Sequence, residues 1–457
     1  MEQNRERLGS RLGFILLSAG CAIGLGNVYR FPIITGAYGG AIFVVIYIAF
    51  LLLLGLPVMT AELSVGRASQ RSIASSFDKL EKPGQKWHWM KYLGISGNYL
   101  LMMFYTTITG WMLMYLIKYV DGSILSASGT AELSAVFGGM ISNPGRSVLA
   151  TYAVIFLCFG ICSIGLQKGV ERITKVMMVA LFVLMVGLAA YSCTLPGAKE
   201  GLKFYLVPSV QHVRESGLWT VVTAAMGQAF FTLSLGMGSI AIFGSYIDKN
   251  HRLLGEARTI VTLDTMVALM SGLIIFPAYF TYNGSPITAG NAGSGFLFTT
   301  LSSIFNDMAG GRVIGAFFFL FMLFAALSTV IAVFENIMSF WLELTKLNRC
   351  QAALLNIGLL LVLVLPAALT ENLLSGVRIF GKSFMDLEDF LVSNLILPFG
   401  SLIYVLFCTS RYGWGWNNYF TEVNTGKGAA MPGWIRPYMT YVLPVMIFVI
   451  LVMSLIG

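Results

Sequence analysis

Long apolar segments alternate with short polar ones along the whole chain. A helix that crosses the hydrocarbon core of a bilayer needs about 20 predominantly apolar residues. Eleven segments meet this requirement, at 11–36, 39–66, 92–120, 148–165, 170–193, 219–246, 258–283, 312–345, 351–370, 384–409 and 436–456. The pattern predicts an all-α polytopic membrane protein with 11 transmembrane helices.

Segment 1 is interrupted at its centre, in the stretch SAGCAIGLGNVYRFP at 18–32. Its three glycines weaken a helix, and Asn27 and Arg30 place polar groups deep within the span. A broken membrane helix is tolerated where its free backbone groups line a cavity or bind a ligand. Gly20-x-x-x-Gly24 alone would also fit a helix-packing face, but an intramembrane arginine favours a functional interpretation.

Segment 6 carries a matching interruption, GQAFFTLSLGMGSI at 227–240. Segment 1 opens the first group of five helices and segment 6 opens the second. Paired broken helices at matching places in two halves indicate an inverted-repeat transporter with its site near the midplane. We expect a single transmembrane domain, 1–457, made of a first repeat over 11–195, an antiparallel second repeat over 205–410, and an inner loop with helix 11 over 411–457.

The composition supports a membrane protein and excludes a soluble globular one. Of 457 residues, 57% are hydrophobic and 11% are charged, and the mean hydropathy is +0.78. Apart from Arg30, the Lys and Arg residues divide into 20 on one side of the predicted spans and eight on the other. Because cytoplasmic loops carry the excess, we expect a cell (inner) membrane protein with a cytoplasmic N-terminus and an extracellular or periplasmic C-terminus. The net charge of +8 follows from this topology and predicts no nucleic-acid partner.

Polar residues within other segments add to the picture. Asp264 stands in an otherwise apolar stretch, where a carboxylate usually faces the interior of the bundle, although it could instead cap the inner end of its helix. Ser328 and Thr329 are adjacent in segment 8, and such hydroxyls often only bond back to their own helix. The six cysteines lack metal-ligand spacing and the three histidines lie in predicted loops. We therefore expect no disulfide framework and no zinc or histidine chemistry.

Four motifs occur in order along the chain: GLGNVYRFP, FFTLSLGMG, AALST and DLEDF, in segments 1, 6, 8 and 10. In these motifs the chain closely resembles the neurotransmitter:sodium symporter family, and within it the bacterial transporters of hydrophobic amino acids. The resemblance implies a transporter rather than an enzyme. It also implies that sodium drives import of hydrophobic L-amino acids, aliphatic and aromatic, across the lipid bilayer by alternating access.

The resemblance implies two sodium sites made of oxygen ligands, which a hard cation prefers. The first would be formed by Ala22, Asn27, Thr232 and Asp264, together with the carboxylate of the substrate. The second would be formed by Gly20, Ile23, Ala325, Ser328 and Thr329.

The resemblance places the substrate carboxylate near the amides of Leu25 and Gly26 and the hydroxyl of Tyr105. The amino group would meet the carbonyls of Ala22, Phe231 and Thr232. Family members that carry amines without a carboxylate have Asp at the position of Gly24, so Gly24 favours an amino acid. The implied side-chain pocket is apolar and consists of Leu101, Tyr105, Phe231, Ser234, Met237, Thr329 and Val333.

Two gates are implied as well, Arg30 with Asp389 on the outer side and Arg5 with Glu343 on the inner side. Asp264 stands where the family usually has Asn, and its own negative charge predicts that chloride is not required. Proton counter-movement through the same carboxylate is a weaker hypothesis. The family's usual twelfth helix has no counterpart, which leaves the oligomeric state open.

Three alternatives remain at this point. A proton-coupled amino-acid transporter of the same fold should lack the double oxygen cluster that includes Asn27, Asp264, Ser328 and Thr329. A transceptor, which binds an amino acid to signal, would have the same site. A channel is disfavoured because it has no need for two antiparallel broken helices.

Overall fold

The structure is a computed structural model of an almost entirely helical chain. It describes residues 8–127, 129–209, 213–214, 217–283, 295, 297–308 and 310–456. Within these ranges the extended pairing is limited to two isolated bridges, His251 with Lys427 and Ile379 with Lys382. The predicted all-α class is confirmed.

The helices occupy the predicted segments, and we number them α1 to α11 in chain order. Eight are long and apolar enough to cross a bilayer: α2 Ala41–Ser69, α3 Trp87–Asp121, α4 Pro144–Ile164, α5 Leu166–Ser192, α7 Leu253–Tyr282, α8 Gly311–Leu344, α10 Phe384–Thr409 and α11 Gly433–Leu455. A ninth span, α1, is the bent pair Arg11–Ala22 and Gly26–Ala37. The shorter apolar helices at the two remaining places are α6, Leu218–Thr232 continued by Ser239–Gly244, and α9, Arg349–Leu363. The chain is thus an integral multi-pass membrane protein.

Shorter helices lie in the connections between the spans. They are Ser76–Leu80, Gly129–Ile141, Ala198–Leu206, Ser302–Asp307 and Trp416–Asn424. Side-chain caps fix where several spans begin. Ser10 accepts a hydrogen bond from the Gly13 amide at the start of α1, and Asn348 forms a capping box with Gln351 at the start of α9.

Helix α8 forms the centre of the bundle. In its most apolar stretch 83% of the residues are buried, whereas the corresponding stretch of α11 is only 28% buried. Helix α8 packs against α1, α3, α4 and α5, and α1 also contacts α7. The two broken helices therefore lie beside the most buried helix, and their breaks open into the protein interior. Inner and outer denote the two sides of the membrane as the charge pattern predicts them.

Candidate functional site

The first break separates the two parts of α1 and bends the span by 52°. The backbone groups that it frees bond to side chains. The Leu25 amide donates to the Tyr105 hydroxyl at 2.8 Å, and the Gly24 amide donates to Asn27 Oδ1 at 3.1 Å. The Gly26 carbonyl accepts from Gln228 Nε2 at 2.7 Å. Polar side chains from α3 and α6 thus hold the break open, as the glycine pattern predicts.

The second break, between Thr232 and Ser239 in α6, depends on a residue that the sequence interpretation missed. Glu62 of α2 is fully buried, and its carboxylate accepts hydrogen bonds from the amides of Gly236, Ile240 and Ala241 at 2.8, 3.0 and 3.3 Å. A carboxylate at the N-terminus of a half-helix satisfies free amides and opposes their positive end. The sequence feature that could have identified Glu62 is its position as an acidic residue inside an apolar segment.

Three side chains from α1, α6 and α7 meet between the breaks. Asn27 Nδ2 donates to Asp264 Oδ1 at 2.8 Å and to the Asp264 carbonyl at 3.0 Å. The Thr232 hydroxyl lies 3.2 Å from Asp264 Oδ2. Asp264 is fully buried, and no Lys or Arg of the described part of the chain forms an ion pair with it. Since a buried carboxylate without a counter-charge is costly, this cluster suits a cation.

A second set of oxygen atoms lies between α1 and α8. The Thr329 hydroxyl is 3.2 Å from the carbonyl oxygens of both Gly20 and Ile23, and 3.5 Å from that of Ala325. The Ser328 hydroxyl is 2.9 Å from the Ala325 carbonyl and 3.4 Å from the Ile23 carbonyl. The hydroxyls therefore bond across to α1 and not only within their own helix. All five predicted ligands of the second sodium ion converge here.

A small cavity lies beside these clusters, where α1, α3, α6, α8 and α10 meet. It is lined by Ala22, Gly24, Gly26, Leu101, Tyr105, Phe231, Ser234, Met237, Thr329 and Leu397. A Cβ atom at Gly24 would overlap the Tyr105 hydroxyl and Thr329 Oγ1, so no larger residue fits there without a shift. Of the predicted pocket residues, Val333 is buried but does not line this cavity, and Leu397 of α10 takes part instead.

Arg30, the predicted outer gate, lies against Phe231, one of the residues that line the cavity. Its guanidinium carbon lies 4.4 Å from the centre of the Phe231 ring, a cation–π contact. Arg30 Nη1 lies 3.9 Å from Asp389 Oδ1 and donates to the Ser393 hydroxyl at 3.3 Å, and this hydroxyl in turn donates to Asp389 Oδ1 at 2.6 Å. Ser393 was not predicted, because the sequence around it does not indicate a role in the site.

On the inner side, Glu343 accepts hydrogen bonds from the Ser72 amide at 2.6 Å and the Ser75 hydroxyl at 2.7 Å. Both donors belong to the loop between α2 and α3. Arg5, the predicted partner of Glu343, lies outside the described residues. The roles given to all these residues as ligands and gates stay predictions.

Comparison with known proteins agrees with this geometry. The chain matches the model of the sodium:neurotransmitter symporter family over residues 5–132 and 128–457. The sodium-dependent transporter YhdH of Bacillus subtilis is 36% identical over 407 residues, which are 89% of this chain and 88% of YhdH. The sodium-dependent serotonin transporter of Drosophila melanogaster is 26% identical over an alignment of 496 positions. The alignment covers 100% of this chain and 77% of the relative.

A solved structure has the same fold. The crystal structure of MhsT in complex with L-phenylalanine aligns with a TM-score of 0.87 and 36% sequence identity, covering 99% of this chain and 100% of MhsT. The resemblance inferred from the four motifs is confirmed. The chain belongs to the sodium:neurotransmitter symporter family, a family of transporters and not of enzymes.

Proposed function

We propose that this protein is a symporter that uses the sodium gradient to import hydrophobic L-amino acids, aliphatic and aromatic, and that it does not require chloride. One observation carries the proposal. The cavity at the two helix breaks is lined by Gly26 and Phe231, the chain neighbours of Asn27 and Thr232, and both of those side chains contact the buried Asp264 carboxylate. An amino-acid carboxylate and a sodium ion can therefore bind as neighbours and neutralise each other.

The cavity supports an amino acid with an apolar side chain. The Tyr105 hydroxyl and the half-helix that begins near Leu25 offer hydrogen-bond donors, which favour a carboxylate. Apart from the hydroxyls of Ser234 and Thr329, the remainder of the lining is apolar, and the lining contains no Lys, Arg, Asp or Glu. A charged substrate side chain would lose its hydration there without compensation. The L-phenylalanine in the MhsT crystal structure supports an aromatic substrate for this chain as well.

Two sodium ions fit the two oxygen sets. The first would bind at Asp264, Asn27, Thr232 and the Ala22 carbonyl, and the second at the Ser328 and Thr329 hydroxyls with three carbonyls of α1 and α8. Asp264 brings its own negative charge to the first ion, so a chloride ion is not needed to balance it. The cycle would be alternating access, with the two gates closing above and below the occupied cavity.

Binding to the purified protein in detergent tests the substrate class. We expect labelled L-leucine to bind in sodium chloride and in sodium gluconate but not in choline chloride. L-Phenylalanine and L-tryptophan should displace it, whereas L-lysine and L-glutamate should not. Displacement by L-lysine with the same potency as by L-phenylalanine would refute the apolar pocket, and loss of binding in gluconate would refute chloride independence.

A proton-coupled transporter of the same fold is the second candidate, because a buried carboxylate such as Asp264 can bind a proton in place of sodium. It predicts leucine binding in choline chloride at low pH.

A further inference from the structure

The loop between α2 and α3 brings together three side chains that the transport site does not use. Asp78 lies on the short helix Ser76–Leu80, Glu81 follows that helix, and His88 lies in the turn that begins α3. One ligand atom from each of the three lies within 4.8 Å of the other two. Two carboxylates and an imidazole from separate parts of the loop thus face one another.

The arrangement is held in place by its own hydrogen bonds. His88 Nδ1 lies 2.6 Å from Glu81 Oε1 and 4.0 Å from Asp78 Oδ1. The other Glu81 oxygen, Oε2, accepts a hydrogen bond from the His88 main-chain amide at 3.1 Å. A metal ion would replace the hydrogen bond between His88 Nδ1 and Glu81 Oε1, while the bond from the His88 amide to Oε2 would remain and orient the Glu81 carboxylate.

These distances suit a zinc ion. Zinc binds histidine nitrogen and carboxylate oxygen at about 2.0–2.2 Å in tetrahedral geometry, which places ligand atoms about 3.4 Å apart. The observed separations, from 2.6 Å to less than 4.8 Å, lie on both sides of that value. Rotations of exposed side chains are enough to reach it, since the Asp78 and His88 side chains are 40% and 29% exposed. The exposed side of the cluster leaves room for water as the fourth ligand.

One cation already lies beside the cluster. Lys91 Nζ is 3.4 Å from Asp78 Oδ2. Such a partly exposed ion pair contributes little to stability, so a divalent ion can displace the lysine. This competition supplies a specific test, because removing the ammonium group leaves all three ligands intact.

We propose that Asp78, Glu81 and His88 form a zinc-binding site in the loop between α2 and α3. Zinc accepts both imidazole nitrogen and carboxylate oxygen as ligands, whereas magnesium prefers oxygen ligands alone in octahedral geometry. The bound ion would tie the loop to the first turn of α3. The same loop carries Ser72 and Ser75, which donate to Glu343.

Calorimetric titration of zinc chloride into the full-length chain, in detergent and with any affinity tag removed, tests the site. We expect one zinc ion to bind per chain, and a large excess of magnesium not to displace it. His88→Ala and Asp78→Asn should each weaken binding at least about tenfold, the effect expected when one of three ligands is lost. Lys91→Met should tighten binding several-fold.

His251→Ala is the matched control, because His251 lies in another loop, between α6 and α7, and should leave zinc binding unchanged. Gel filtration and retained leucine binding verify that each variant is folded. Absence of zinc binding by the native chain would overturn the proposal. Equal binding by the native chain, His88→Ala and Asp78→Asn would also overturn it, since the zinc would then be held elsewhere.

Discussion

One side-chain amide of Asn27 reaches both the side chain and the main-chain carbonyl of Asp264, at 2.8 and 3.0 Å. The contact joins the first broken helix to α7 in the buried interior of the bundle. With Thr232 on the opposite side at 3.2 Å, the carboxylate is surrounded by neutral donors. The Asp264 carboxylate would give a sodium ion bound here oxygen ligands and a negative charge that balances its own. The remaining residues of the site can be tested one at a time around this pair.

Replacing Gly24 by alanine should weaken substrate binding. The added methyl group would overlap the Tyr105 hydroxyl and Thr329 Oγ1. Overpacking of this kind costs about 1–3 kcal/mol, and each 1.4 kcal/mol corresponds to about tenfold in affinity. We expect leucine affinity to fall at least about tenfold in an equilibrium binding assay. Gly227→Ala is the control, since nothing lies within 4 Å of the added Cβ in α6. Equal effects of the two substitutions would contradict the assignment of the cavity.

Removing the Ser328 hydroxyl should change the sodium dependence of transport. Ser328 contacts carbonyls of both α8 and α1, whereas Thr265 bonds at 2.7 Å to Val261 of its own helix. If two ions bind cooperatively, the Hill coefficient for sodium can approach 2, the number of sites. We expect Ser328→Ala to lower it towards about 1 and to raise the sodium concentration for half-maximal uptake. Thr265→Ala should leave both unchanged, and an unchanged Hill coefficient in Ser328→Ala would argue against a second ion at this place.

Glu62→Gln should destabilise the second break. The substitution keeps one acceptor oxygen but removes the charge and leaves at least one of the amides of Gly236, Ile240 and Ala241 without its partner. A buried donor without a partner costs about 1–3 kcal/mol. We expect a lower melting temperature in detergent, measured by intrinsic fluorescence. Glu371→Gln, at an exposed position after α9, should melt like the native protein. A Glu62→Gln variant as stable as the native chain would show that the carboxylate does not hold the break.

Arg30→Lys should loosen the outer gate. Arginine can stack on the Phe231 ring and face Asp389 and Ser393 at once, whereas a lysine ammonium lacks the planar fork. We expect bound leucine to dissociate several-fold faster, measured by dilution into excess unlabelled leucine. Ser393→Ala should give a smaller increase of the same sign. Dissociation slower than in the native protein would contradict a closing role for Arg30.

Much of this site follows from sequence because its signals are local. Glycines beside polar residues mark the two breaks, and Asp264 stands out against apolar neighbours, whereas Ser328 and Thr329 were assigned to an ion site through the family resemblance. Glu62, Ser393 and Leu397 could not be assigned in the same way, because their roles depend on which faces of α2 and α10 turn towards the breaks. The whole side-chain pocket was assigned by resemblance, and of its members Val333 does not line the cavity. The sequence interpretation expected no zinc or histidine chemistry, because only the fold of the loop brings Asp78, Glu81 and His88 together.

The most direct test is uptake of labelled leucine into proteoliposomes, with the native protein, Asp264→Asn and the exposed control Asp248→Asn. We predict that native and Asp248→Asn uptake needs an inward sodium gradient and is the same with chloride or gluconate. In Asp264→Asn, the sodium affinity should fall at least about tenfold, or uptake should become dependent on chloride. The reason is that the asparagine amide lacks the charge that balances the ion. Native uptake that persists without sodium and follows a proton gradient, or that requires chloride, would contradict sodium coupling through Asp264.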